Sequence, residues 1–402
     1  MYQLMKVSKY FQWIIILSVG LFGCAQEGVK IEPGVSLALA EHRKQVISEV
    51  NYQLEFEIPR AREEAIKGKN TLSFEYQPSE SDLQIDFNVI DPQIFSLIVN
   101  GNTNEVNWES EKIIIPAEGL VAGTNSIEIE FIAGETSLNR NEDYLYSLLV
   151  PDRAATVFPC FDQPDLKATF ELSLTIPQGW KALANGAEIN HQVAGEGQTL
   201  TFARTKPIST YLFAFAAGEF LEETTTHKGQ TITMLHRETD SAKVARNVPE
   251  IFDLHIKSLN WLEDYTGIDY PFEKFAFVLI PSFQYGGMEH PGAITYKASS
   301  LFLDESATQN QQLGRASLIA HETAHMWFGD LVTMEWFSDV WMKEVFANFM
   351  AAKIVNPSFP EVNHDLRFLV AHYPSAYAID RSQGSHPIQQ PLDNLKNDGT
   401  LW

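Results

Sequence analysis

The stretch HETAH at residues 321–325 decides the fold of the second half of this chain, together with Glu344 after eighteen intervening residues. A helix turns once in about 3.6 residues, so His321 and His325 lie on one face. Two imidazoles at that spacing bind one Zn²⁺, and Glu344 supplies a third ligand. Glu322 lies beside the position of a metal-bound water and can accept its proton. The stretch therefore predicts a zinc site between two helices.

The residues around the motif predict the two helices that this site needs. Residues 309–328 carry an apolar stripe at helical spacing that includes Leu313 and Ile319, and residues 339–353 form a second helical stretch. The alternative is a surface helix with a chance motif. Histidines on an apolar face are costly to bury without a partner, and a metal ion is the simplest partner. Asp339 is a candidate acceptor for one of the histidine N–H groups.

A second run, GGMEH at residues 286–290, lies upstream of the zinc motif. Together the two runs resemble the signatures of the M1 aminopeptidases, the aminopeptidase N group of gluzincins: HExxH, eighteen residues and Glu, preceded by GxMEN. The runs FPCFD at 158–162, YPF at 270–272 and WFGD at 327–330 are also similar to the family. The resemblance extends from about residue 45 to the last residue.

The resemblance implies a role for each matching residue. The implied zinc ligands are His321, His325 and Glu344, the general base is Glu322, and the substrate-binding residues are Gly286, Gly287, Met288 and Glu289. Glu289 would bind the free α-amino group, because a buried carboxylate pairs strongly with an ammonium group and so selects a chain terminus. The implied activity is a zinc-dependent aminopeptidase with one Zn²⁺ per chain, acting on peptides with a free N-terminus.

The two glycines of the second run also indicate, from their size alone, a place where substrate can bind. Without side chains at Gly286 and Gly287, a substrate backbone can approach closely and pair as an added strand.

Three departures from the family pattern leave alternatives open. His290 stands in place of Asn, and Val345 follows the third ligand in place of Gly. The family's oxyanion-stabilising Tyr is expected after the last residue, since Tyr373 and Tyr377 come too early. We therefore expect a catalytic domain that is incomplete at its C-terminal end, with activity reduced by on the order of 10²–10³. The alternatives are a non-catalytic zinc- and peptide-binding lipoprotein, a zinc endopeptidase and an epoxide hydrolase.

The composition is that of an acidic globular protein. The chain has 402 residues, of which 45% are hydrophobic, and its formal net charge is −23. So strong a negative charge argues against a nucleic-acid partner and against a polybasic membrane patch.

The start of the chain predicts a bacterial lipoprotein signal peptide over residues 1–23. Lys6 and Lys9 precede an apolar run at residues 11–22, which is too short to span a bilayer but fits a signal peptide. The run LFGC then ends at Cys24, the predicted lipidation site. A plain signal peptide is the alternative. We expect a membrane anchor at Cys24 and a place in the cell envelope, on the periplasmic face of the outer membrane.

The remaining residues predict a multidomain α and β protein. Residues 24–45 are interpreted as a tether. Residues 46–222 show many short strands with period two, typical of an all-β, sandwich-like (saddle) domain. Residues 223–402 predict a thermolysin-like α/β zinc peptidase domain, with a helix over 244–265 and a strand over 275–280. Cys160 has no predicted partner and is expected as a buried free thiol.

Overall fold

A computed structural model describes residues 29–400, with side chains described through residue 397. The predicted signal peptide and the predicted lipidation site Cys24 lie outside the described residues. Within the described part of the chain, no helix combines the length and the apolar character that crossing a bilayer requires.

The N-terminal half is a β-rich domain, as the period-two pattern predicts. Its strands are β1 (Ile47–Glu57), β2 (Lys67–Tyr76), β3 (Leu83–Asp86), β4 (Ile94–Val99), β5 (Asn102–Thr103), β6 (Trp108–Glu109), β7 (Lys112–Ile115), β8 (Gly123–Ile132), β9 (Leu138–Arg140), β10 (Tyr144–Ser147), β11 (Ala168–Pro177), β12 (Lys181–Ala184), β13 (Glu188–Ala194), β14 (Gly197–Phe202) and β15 (Phe215–Gly218). They form an eight-stranded sheet in the order β13-β14-β11-β1-β2-β8-β4-β5, a four-stranded sheet β12-β15-β10-β9 and a three-stranded sheet β3-β7-β6.

Strand β1 shows why the sequence folds this way. Tyr52, Leu54 and Phe56 are buried, and Gln53 and Glu55 between them are exposed. The buried face packs on aromatic rings of neighbouring elements, where Tyr52 stacks on Phe170 with the ring centroids 5.0 Å apart. Alternation of this kind places one face of a strand on the core and the other in water.

The structure differs from the predicted tether over its last residues. Helix α1 (Leu37–Val46) begins at the N-cap Ser36, and Leu39 and Ala40 on it are buried. Arg43, also buried, pairs with Asp86 at an N–O distance of 2.7 Å. The helix is therefore part of the folded N-terminal domain, and the predicted tether is wrong over these residues.

The second half is the mixed α/β domain that the sequence predicts. Its strands are β16 (Leu221–His227), β17 (Gln230–His236), β18 (Ala276–Ile280), β19 (Gly287–Met288) and β20 (Ile294–Lys297), and its helices are α2 (Ser241–Thr266), α3 (Ala298–Leu301), α4 (Gln309–His325), α5 (Val340–Val355) and α6 (His364–Asp380). The strands form one sheet in the order β16-β17-β18-β20-β19. Apolar side chains of α2, α4, α5 and this sheet make the second core of the molecule.

The helix ends follow from local sequence. Helix α2 ends at Gly267, whose φ of 68° is the left-handed conformation that glycine adopts at low cost. Helix α4 begins with a capping box, in which Thr308 and Gln311 each bond to the backbone of the other. This cap fixes the start of the helix that carries the HETAH motif.

The two domains contact each other next to that motif. The Tyr211 and Phe337 rings lie with centroids 5.6 Å apart, and Lys167 Nζ donates to the backbone carbonyl of Asp330 at 2.7 Å. Asn185 donates to the carbonyl of Pro291 at 2.9 Å. The N-terminal domain therefore forms one side of the region where the motif lies.

Candidate metal centre and substrate cleft

Two neighbouring helices bring the three predicted zinc ligands together. The Nε2 atoms of His321 and His325, one turn apart on α4, are 3.0 Å apart. Glu344, on α5, places its Oε2 3.4 Å from His321 Nε2 and 3.7 Å from His325 Nε2. Two ligands of a tetrahedral zinc ion at about 2.0–2.1 Å lie roughly 3.3 Å apart, so this donor set fits the ion.

The backbone after α4 orients one of these histidines. His325 Nδ1 lies 3.1 Å from the carbonyl oxygen of Phe328. Donation of Nδ1–H to that carbonyl leaves the Nε2 lone pair for a metal. The prediction that Asp339 accepts from a histidine is wrong, because Asp339 Oδ1 instead accepts from Gln389 Nε2 at 2.6 Å.

The predicted general base lies buried beside the ligands. Glu322 is close enough to Glu289 and His325 for one atom of each to lie within 4.8 Å of the others. Burial raises the pKa of Glu322 to about 8, and the negative charges of Glu289 and Glu344 add to the rise. A carboxyl with this pKa can take up a proton near neutral pH.

The glycine run lies directly against this base. Gly287 and Met288 form β19, which pairs with β20 and is the edge strand of the five-stranded sheet. A Cβ on Gly287 would come within 2.4 Å of Glu322 Oε1, and one on Gly286 within 3.2 Å of Leu318. Glycine is therefore needed at position 287 so that β19 can pack against Glu322. The sequence indicates a different reason for this glycine, the close approach of a substrate backbone.

Glu289 has a cationic partner that the sequence reasoning missed. Lys343, next to Glu344 on α5, forms an ion pair with Glu289, and both side chains are buried. Burial alone raises the pKa of Glu289, but the charges of Lys343 and His325 outweigh it and hold that pKa at about 2. The signal available in the sequence was a basic residue directly before a metal ligand.

Two further buried polar residues lie nearby. Burial lowers the pKa of His290 to about 4, so its ring is neutral at pH 7, and its Nδ1 lies 3.3 Å from Thr295 Oγ1. Asp330 is buried with neither carboxylate oxygen hydrogen-bonded to the described residues. Burial raises the pKa of Asp330 well above its ordinary value, and the negative charge of Glu289 adds to the rise.

The three candidate metal ligands, Glu322 and Glu289 line one cleft of about 680 Å³. The second domain contributes Tyr285, Gly286, Gly287, Met288, Glu289, Ser317, Leu318, His321, Glu322, His325, Lys343, Glu344 and Asn348. The N-terminal domain contributes Val150, Pro151 and Arg153, which the sequence did not single out. All the predicted metal, base and substrate-binding residues of the second domain therefore lie on one cavity, flanked by the β-rich domain. Tyr373 and Tyr377, exposed on α6, are not among its lining residues.

The arrangement defines a class of protein. Two histidines from one helix, a glutamate from the next and a buried glutamate beside them, next to a mixed sheet whose edge strand borders the cleft, are the parts of a thermolysin-like metallopeptidase.

Comparison with known proteins places the chain within this class. Residues 48–212 match the Peptidase M1 N-terminal domain, and residues 251–401 match the Peptidase family M1 domain. The chain belongs to peptidase family M1, which confirms the resemblance and the two-part architecture.

Named relatives of this chain are aminopeptidases. The puromycin-sensitive aminopeptidase of Caenorhabditis elegans is 37% identical over 244 residues, which are 60% of this chain and 25% of that protein. The probable aminopeptidase 1 of Sulfurisphaera tokodaii is 37% identical over 60% of this chain and 30% of its own length. Aminopeptidase N of Streptomyces lividans is 28% identical over 90% and 44%. The chain thus spans less than half the length of these relatives.

Proposed function

We propose that this protein is a zinc-dependent aminopeptidase that removes N-terminal residues from peptides. The observation that carries the proposal is the meeting of His321, His325 and Glu344, with their ligand atoms within 4.8 Å, in a cleft that also contains Glu322 and Glu289. Membership of the M1 family and the names of the relatives support the same activity.

The residues divide the reaction between them. A Zn²⁺ held by the three ligands would lower the pKa of a bound water and polarise the scissile carbonyl. Glu322 accepts the proton of the attacking water and passes it to the leaving amine. The edge strand β19 offers backbone groups with which an extended substrate can pair. Glu289 would bind the α-amino group of the substrate's first residue, and Val150 and Pro151 line the cleft from the N-terminal domain.

Hydrolysis of a panel of aminoacyl chromogenic amides by the zinc-loaded chain tests the proposal. We expect turnover that falls by about 10²–10⁴-fold in Glu322→Gln, with zinc content unchanged at one per chain. Bound zinc with no turnover in the wild-type chain would instead support the non-catalytic zinc- and peptide-binding alternative.

A free hexapeptide separates the aminopeptidase from the endopeptidase alternative. Mass spectrometry of early products should show stepwise loss of N-terminal residues. Internal fragments as the first products would contradict exopeptidase action.

We further propose that the protein is a lipoprotein of the bacterial cell envelope, anchored through Cys24 on the periplasmic face of the outer membrane. The support is the run LFGC at residues 21–24 after a short apolar segment. Incorporation of radiolabelled palmitate into the full chain, and its loss in Cys24→Ala, would test this. Unlabelled wild-type protein cleaved near residue 24 would indicate a plain signal peptide.

A further inference from the structure

We propose that Lys343 sets how strongly this site selects a charged N-terminus. Its ammonium group already pairs with one carboxylate oxygen of Glu289, so a ligand gains less affinity from its own amino group. The inference rests on the proposed function in one respect, that Glu289 is the carboxylate facing the substrate's first residue.

The position of Lys343 is fixed from three sides. Its Nζ pairs with Glu289 Oε1, lies 3.3 Å from Glu344 Oε1 and stands 5.2 Å from the centroid of the Tyr211 ring. The side chain is only 5% exposed, and that of Glu289 only 4%. A lysine held by two carboxylates and an aromatic face has a defined place for its charge.

The pair also explains how Glu289 is buried at all. A buried carboxylate without a partner is strongly unfavourable, and Lys343 supplies the partner before any ligand arrives. A second ammonium group brought to the same carboxylate would meet a like charge at close range. An incoming α-amino group therefore meets a carboxylate whose charge Lys343 already balances in part.

The pair lies on the cleft, which is why it affects ligands. Both Glu289 and Lys343 line the 680 Å³ cavity, in contrast to the buried pair of Lys112 and Asp86 in the N-terminal domain, which does not border it. A purely structural role for Lys343 would change stability alone. A specificity role must also change the relative affinity of ligands with and without an amino group.

Two hydroxamates that differ only in the amino group provide the test. Leucine hydroxamate and 4-methylpentanohydroxamate are titrated calorimetrically into the zinc-loaded full chain. We expect wild-type affinities within about tenfold of each other, and a further gain of about ten- to 100-fold for the amino form in Lys343→Met, the range of a charge-assisted hydrogen bond. Glu289→Gln in the Lys343→Met background should remove that gain.

The opposite pattern would overturn the proposal. A wild-type preference of 100-fold or more for the amino form, unchanged in Lys343→Met, would show that Lys343 does not compete for Glu289. Lys112→Met is the matched control, because it breaks a buried lysine–carboxylate pair away from the cleft and should leave the ratio of the two affinities unchanged.

A second measurement needs neither zinc nor turnover. Thermal unfolding of the metal-free chain is compared for Lys343→Met, Glu289→Gln and the double variant. We expect each single change to lower the melting temperature and the double change to cost clearly less than the two together. Strict additivity would show that the two side chains do not pair and would overturn the proposal. Absence of hydrolysis alongside the expected affinity ratios would count against the proposed function alone.

Discussion

Two clusters in this protein bury the same types of charged side chain, lysines and carboxylates, but the two clusters differ in their role. In the N-terminal domain, the Asp86 carboxylate accepts from Arg43 at 2.7 and 2.9 Å, from Lys112 at 2.7 Å and from the backbone N–H of Asp162 at 2.9 Å. In the cleft, Glu289 pairs with Lys343, and Glu322 and Glu344 lie beside them.

The difference lies in what surrounds each cluster. Asp86 is enclosed by α1, β7 and the loop before β11, and its donors are protein groups that hold these elements together. The carboxylates of the second cluster border a cleft that a ligand can enter. Burial of an ion pair therefore does not identify a functional site by itself; access to a cavity does.

The largest effect is expected from breaking the enclosed cluster. Asp86→Asn leaves Arg43 and Lys112 buried without their counter-charge, and such a loss costs about 3–5 kcal/mol. Urea unfolding should show this decrease in the free energy of unfolding, while zinc binding by the remaining folded protein is unchanged. Asp91→Asn, an exposed control in the same domain, should stay within about 0.5 kcal/mol of the wild type. A similar result for both variants would contradict the structural role of the cluster.

A change in the cleft should instead lower turnover and leave the zinc content unchanged. Gly287→Ala places a Cβ against Glu322 Oε1, and displacing a catalytic group by about 1 Å costs on the order of 100-fold in rate. We expect kcat for an aminoacyl amide to fall by about that factor, with zinc content retained. Unchanged turnover in this variant would mean that Glu322 does not need its present position.

Acid titration sharpens the same contrast. Burial alone raises the pKa of Asp86, but Arg43 and Lys112 outweigh it and hold that pKa at about 2, below the ordinary value of 3.8. The group therefore adds stability above pH 4 that is lost as the pH falls toward 2. Between these pH values the free energy of unfolding should drop by roughly 2 kcal/mol more in the wild type than in Asp86→Asn. Parallel curves for the two proteins would contradict the low pKa.

The smallest effect is expected on the exposed side of the metal-binding helix. Gly314 on α4 has open space where a Cβ would be, so Gly314→Ala should raise the free energy of unfolding by up to about 1 kcal/mol. Turnover should be unaffected, which makes this variant the matched control for Gly287→Ala. A loss of stability would show that α4 is constrained at this position.

The sequence predicted what depends on local spacing. His321 and His325 are four positions apart on a helix whose apolar stripe is visible in the chain, and the second helix carries Glu344. The alternation along β1 likewise follows from period two. These features are set within one or two turns or one strand, so the pattern alone was sufficient.

Contacts across long sequence separations were not predictable in this way. Lys343 and Glu289 are 54 positions apart, and Arg43 and Asp86 are 43 apart. Neither pair has a local signature, because each forms only when separate elements pack. For the same reason α1 was read as a tether, and Asp339 was considered as a candidate acceptor for a histidine although it bonds to Gln389.

Zinc K-edge absorption on the full chain, combined with its metal content, tests the central claim most directly. The structure predicts one zinc per chain with two histidine nitrogens at about 2.0–2.1 Å and further oxygen ligands, and loss of stoichiometric zinc in Glu344→Ala. Sulfur in the coordination shell, or full zinc retention with the histidine signal lost, would show that the ion is held elsewhere and would contradict the assignment of His321, His325 and Glu344.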